Sequence, residues 1–114
     1  MFLNYLKDGV IVGHHIGHDI ASLDAGYQMC IHAIGDRANR EVLNIYEEAF
    51  RKNNKNGKDL RWRVEHAQHI SGADIPRFGQ LGVVAAMQGV HCTSDAPWVE
   101  PRLGAKRAEE GAYV

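Results

Sequence analysis

Ile31-His32-Ala33-Ile34-Gly35-Asp36-Arg37-Ala38-Asn39 passes from a strand to an amphipathic helix within a few residues, and that passage decides the fold. Upstream, Tyr27-Gln28-Met29-Cys30-Ile31-His32 reads as a buried strand. Downstream, Ala38, Val42, Ile45 and Ala49 recur at helical spacing, with Leu43, Tyr46 and Phe50 widening the apolar stripe. Arg40, Glu41, Asn44, Glu47, Glu48, Arg51 and Lys52 fall on the opposite face. Glu47 with Arg51, and Glu48 with Lys52, stand at i, i+4 in the favourable orientation. Asp36 stands at the helix start, where a carboxylate can cap free N–H groups. The pattern is that of a helix covering one side of a sheet.

The same succession repeats twice. After a polar loop over 53–59, Leu60-Arg61-Trp62-Arg63-Val64-Glu65-His66 alternates with period two, as a strand should. Ser71 with Asp74 resembles a capping box, Pro76 suits a first helical turn, and a short helix to Leu81 stops at Gly82. Val83-Val84-Ala85-Ala86-Met87 makes a third strand, Gly89 opens a long loop through Pro101, and 103–112 starts another helix. Strand spacings of roughly 33 and 23 residues fit repeated βαβ units, so the expected class is α/β with a parallel sheet. Ahead of these, a short helix over Asp19–Ala25 stopped by Gly26 is expected, and residues 1–18 remain unassigned.

At 114 residues the chain is one domain or part of one. Thirteen basic against fourteen acidic residues leave a net charge of −1, which offers no field for nucleic acid or an anionic membrane. The cationic run Arg51-Lys52-Asn53-Asn54-Lys55-Asn56-Gly57-Lys58 reads as a solvated helix end and loop. No apolar run approaches the roughly 20 residues of a bilayer span, and the start lacks the parts of a signal peptide. The expected location is therefore cytoplasmic, with Cys30 and Cys92 as reduced thiols, one in a strand and one in a loop.

Ligands of parallel α/β sheets gather where the strands end. His32 and His66 each stand at such an end, so two imidazoles from neighbouring strands can share one divalent metal. Two hydrogen-bonded histidines without a metal satisfy the same pattern. By alternation His66 falls in phase with Leu60, Trp62 and Val64, which leaves two alternatives: the strand bulges near its end, or Glu65 is the inward group. Asp36 either orients a ligating histidine or caps its helix, or does both. Glu65 either positions substrate or a proton, or forms a salt bridge with Arg61 or Arg63. His91 and Asp95 follow the third strand and suit substrate contact, the alternative being a rigid turn before Pro97. His14, His15 and His18 have a weak claim to a separate metal site.

Four segments together resemble the amidohydrolase superfamily. They are His-Ala-Ile-Gly-Asp-Arg-Ala-Asn at 32–39, Val-Glu-His-Ala-Gln at 64–68, Asp-Ile-Pro-Arg-Phe at 74–78 and Met-Gln-Gly-Val-His-Cys-Thr-Ser-Asp-Ala-Pro-Trp at 87–98. They are similar to the family 3 branch, which includes N-substituted formamide deformylase-like enzymes. The resemblance implies a partial (β/α)8, TIM-type barrel of about three βα units, with residues 19–114 carrying about strands five to seven. It implies a divalent metal, zinc above others, held by His32 and His66. It also implies a small amide-type substrate, with His91 and Asp95 beyond the seventh strand in contact with it. Metal-activated water would attack a non-peptide C–N bond.

Departures from the family bear on activity. The first-strand His-x-His pair, a carboxylate or carboxylated-lysine ligand, and the eighth-strand aspartate have no counterpart in these residues. No catalytic residue is therefore assigned. The isolated chain is expected to be inactive, as a partial gene product, and open sheet edges invite self-association. The alternative is a non-catalytic remnant or a structural, self-associating α/β module. A flavodoxin-like domain is disfavoured, because Ala33-Ile34-Gly35-Asp36-Arg37 lacks the glycines of a phosphate-cradling turn.

Overall fold

A computed structural model of the chain describes Leu3–Tyr5, Ile11–Gly13 and residues 27–112. The short helix expected over 19–25, its stop at Gly26, and His14, His15 and His18 lie outside the described residues. Strands β1 (Leu3–Tyr5) and β2 (Ile11–Gly13) pair antiparallel. The centre is a three-stranded parallel sheet of β3 (Cys30–Ala33), β4 (Arg63–His66) and β6 (Val84–Ala86), in the order β3-β4-β6. This is a mixed α/β fold around a small parallel sheet.

Helix α1 (Asp36–Lys52) joins β3 to β4 and buries the predicted stripe: Ala38, Val42, Leu43, Tyr46, Ala49 and Phe50 are buried, and Ile45 partly so. Its stripe meets the sheet face that carries Ile31, Ala33 and Val64, with Trp62 just ahead of β4. Tyr46 and Phe50 set their rings 4.9 and 5.0 Å from Trp62, within the range of favourable aromatic contact. The polar tips are satisfied as well. Trp62 Nε1 donates to Tyr27 O at 3.3 Å, and Tyr46 Oη donates to Arg63 O at 3.0 Å.

Several local expectations are corrected. The first two strands begin later than their apolar patterns, at Cys30 and Arg63, and the third is trimmed to Val84–Ala86. Residues Gly57–Leu60, expected as loop and strand, form the short helix α2, which Asn56 caps by accepting from Lys58 N at 3.1 Å. Helix α3 (Ile75–Leu81) starts after Asp74, and Ser71 and Asp74 make no capping box. The Asp74 carboxylate instead takes Arg40 and Arg77, and Arg77 also draws Glu47 away from Arg51. Only the Glu48–Lys52 pair forms along α1, at 2.7 Å. Gly82 closes α3 in the left-handed conformation with φ +70, as its position predicted.

The long loop expected from Gly89 to Pro101 is the largest error. It folds as α4 (Val90–Ser94) and α5 (Ala96–Leu103). Pro97 sits in the first turn of α5, where a missing N–H costs nothing, so a breaker residue here starts a helix. Cys92 therefore lies in α4 and not in a loop; both cysteines are free. Helix α6 (Ala105–Glu110) follows, and β7 (Gly111–Ala112) pairs antiparallel with an unanticipated two-residue strand, β5 (Ile70–Ser71).

Candidate functional site

The parallel register places His32 opposite Glu65, and Ala33 opposite His66. Pleating therefore assigns His32 and Glu65 to the face away from α1, and His66 to the core face with Ala33 and Val64. The backbone resolves this conflict at the strand end. His66 takes φ +71 and Ala67 φ +46, so the chain leaves extended geometry at His66 and swings its ring across to His32. Non-glycine residues hold this conformation at a cost and only when neighbours fix them. Both alternatives left by the sequence are answered: the strand end is irregular, though by left-handed turning and not by a bulge, and Glu65 shares the face of His32.

His32 Nδ1 and His66 Nε2 approach to 2.9 Å. Two nitrogens on one tetrahedral zinc stand roughly 3.3 Å apart at metal–nitrogen distances of about 2.0–2.1 Å, so a slight opening lets both grip one ion. In donor type the pair suits two ligands of a divalent metal. Among the described residues, no group of three or more His, Cys, Asp or Glu side chains is gathered to hold a metal.

Residues past β6 surround the pair. Gln88 Oε1 lies 2.7 Å from His66 Nδ1, and the His91 ring meets His66 edge-on with centroids 5.3 Å apart. His91 Nδ1 lies 3.0 Å from Asp95 Oδ2, which also accepts from Gln68 Nε2 at 3.1 Å. Hydrogen bonds from Gln68 and Ser94, with His91 alongside, hold the Asp95 carboxyl below the usual carboxylate range. His32, His66, His91 and Asp95 thus form one continuous row at the strand ends.

Glu65 and Asp36 are placed otherwise. Glu65 stands as an ion pair with Arg63, two residues away on the same face. Asp36 lies in the first turn of α1, whose N-cap is Gly35 with no side-chain cap. Its carboxylate accepts from Arg37 N at 2.8 Å and takes Arg107 Nη2 at 2.8 Å on both oxygens. Burial pushes Asp36 upward, but Arg107 outweighs it and holds the carboxyl below its ordinary value. This pair lines a cavity of about 350 Å³ with His69, Ser71, Leu103 and Glu110; neither His32 nor His66 is in its wall. Burial lowers the pKa of His69 there, against the pull of Asp36 and Asp95.

Sequence reading passed over four contributors. Fully buried Asn39 donates from Nδ2 to Gly35 O at 2.9 Å and Gln68 O at 3.1 Å, tying the loop after β3 to the loop after β4. An asparagine inside an apolar stripe was the available signal. Gln68 and Gln88 lay within the quoted motifs, yet an amide gives no hint of its partner. Arg107 carried no signal.

Residues 21–113 match the amidohydrolase family. The chain belongs to the amidohydrolase family. LONG AFTER FAR-RED 3 of Arabidopsis thaliana is 42% identical over 95 residues, 83% of this chain and 16% of that protein. The amidohydrolase-designated YtcJ of Bacillus subtilis (strain 168) is 34% identical over 84 residues, 74% of this chain and 15% of that one. Among solved structures, an uncharacterized metal-dependent hydrolase from Pyrococcus furiosus superposes with a TM-score of 0.67 at 26% identity. That superposition covers 90% of this chain and 20% of the hydrolase. The amidohydrolase chain thus spans about one-sixth of the length of its curated relatives and resembles a fragment of a metal-dependent hydrolase.

Proposed function

We propose that these residues are the part of a metal-dependent amidohydrolase that carries about strands five to seven of a (β/α)8 barrel, acting on a small non-peptide amide or formamide. The observation that carries this reading is the 2.9 Å approach of His32 Nδ1 to His66 Nε2 at the ends of adjacent parallel strands. His32 and His66 supply two ligands of a divalent ion, zinc by donor chemistry, and further ligands come from outside the described residues. A metal bound there supplies water acidified enough to act as a nucleophile near neutral pH.

The chain's own groups bind and orient. His91, held by Asp95, and Asp95, held in turn by Gln68, face the amide substrate from the rim. Glu65 contributes a carboxylate on the same sheet face as His32. Asp36, through Arg107, braces the start of α1 behind His32 and not a ligand directly. With two ligands among the described residues, the chain by itself is expected to leave amides, formamides and ureas unhydrolysed.

Equilibrium dialysis against zinc tests the reading. Weak uptake is expected, and His32→Ala or His66→Ala should each abolish it. Undiminished uptake in both variants overturns the ligand assignment. A second reading, a self-associating module, draws on edge strand β6 and exposed Val84 and Met87. Concentration-dependent sedimentation of the chain, unaffected by either histidine variant, favours that one.

A further inference from the structure

The geometry points to Gln88 as a positioning residue that fixes which ring nitrogen of His66 carries the proton, leaving Nε2 as a lone-pair donor. Its consequence for metal affinity rests on the reading of His66 as a ligand; the tautomer itself does not. The two ends of the Gln88 amide are told apart by what they face. Gln88 Nε2 donates to Ala86 O at 3.0 Å, a carbonyl of the strand it has just left. Turning the amide over would set Oε1 against that carbonyl, two acceptors facing each other. Oε1 is therefore the end that lies 2.7 Å from His66 Nδ1. An acceptor at that distance requires Nδ1–H.

A neutral imidazole has one N–H, so Nε2 is left with its lone pair. That lone pair meets His32 Nδ1 at 2.9 Å, and His32 is then the donor, Nδ1–H to Nε2. The left-handed turn at His66 delivers the ring, and Gln88 settles its protonation, so chain geometry and amide chemistry act on the same atom. Taking up a metal requires only His32 to move its proton to the far nitrogen; His66 already presents the free electron pair. Partners that fix the tautomer in this way typically change metal affinity by 10–100-fold.

The test uses the 114-residue chain labelled with ¹⁵N at histidine, free of metal and at a pH where the imidazoles are neutral. Two-bond ¹H–¹⁵N correlation reads the tautomer of each ring, and the signals lost in His66→Ala identify His66. The expected result is Nδ1–H at His66 in the wild type, a shift toward Nε2–H in Gln88→Met, and return to Nδ1–H in Gln88→Glu, which keeps an acceptor. Nε2–H in the wild type overturns the inference, as does an unchanged Nδ1–H tautomer in folded Gln88→Met. If Gln88→Met does not fold, Gln88→Ala takes its place, with the same shift toward Nε2–H expected and an unchanged Nδ1–H tautomer overturning the inference. Zinc dialysis supplies the second arm, with binding expected about 10–100-fold weaker in Gln88→Met and recovered in Gln88→Glu. A tautomer that responds as expected in a chain that takes up no zinc sinks the metal reading of His66 and leaves the role of Gln88 standing.

Discussion

The two faces of the three-stranded sheet are made from neighbouring residues of the same strands, yet they are built to different ends. Toward α1, Ala33, Trp62 and Val64 are completely buried and pack against Tyr46 and Phe50. On the other face, Cys30 and His32 are exposed, Arg63 and Glu65 are half-buried, and Val84 is 40% exposed. The first face is apolar and closed by its own helix. The second carries the charges and imidazoles, and residues past β6 gather at its strand ends. Stability and chemistry are thus divided by the pleat, and His66 matters because it changes sides at its strand end.

This division can be broken most forcefully at its centre. Trp62→Ala should cost about 3–5 kcal/mol by opening a cavity beneath Tyr46 and Phe50. Glu65→Gln, on the opposite face, should cost no more than about 1 kcal/mol, since its ion pair is partly solvated. Denaturant midpoints compare the two; equal losses would erase the distinction between the faces.

A smaller effect is expected where the faces meet. Asn39→Ala removes the donor shared by Gly35 O and Gln68 O, at about 1–3 kcal/mol for carbonyls left unpaired in a buried place. Amide exchange should quicken over 66–69 more than along α1. Uniform quickening would mean that Asn39 serves the core and not the site.

The smallest effect concerns acid. In the folded chain Asp36 titrates below its ordinary value, because of Arg107. Its contribution is therefore complete above the unfolded aspartate pKa of about 3.9 and is lost as pH falls through the folded value. Arg107→Met should remove that acid-side dependence, by about 0.2–1 kcal/mol for a pair this exposed. Stability measured from pH 6 down to pH 2 checks it; an identical slope in both proteins refutes the pairing.

Legibility from sequence followed the same division. The buried stripe of α1 was readable because a helix repeats every 3.6 residues and water sorts side chains accordingly. The strand ending at His66 was readable through its alternation, the other two as short apolar runs, and Gly82 through its place after an apolar helix. The stretch after Gly89 was not, because Pro97 and Pro101 suggest a loop, whereas Pro97 sits in the first turn of α5 and Pro101 is carried inside the helix. The β5–β7 pair was equally hidden, since two residues joined across some forty positions leave no periodic trace. Glu47 chose Arg77 over Arg51 for a related reason: an i, i+4 rule cannot see a second helix.

By itself the sequence determined the α/β class, the covering helix, and the pair of histidines at the ends of successive strands, because hydrophobic period and strand termination are local properties. Only the tertiary structure decided that the two imidazoles meet, since the alternation of β4 points His66 the wrong way and a left-handed backbone turn reverses it. It likewise chose Gln88, Gln68 and Asn39 as the groups that hold the site together. An amide side chain has no preferred partner until the fold brings one within reach.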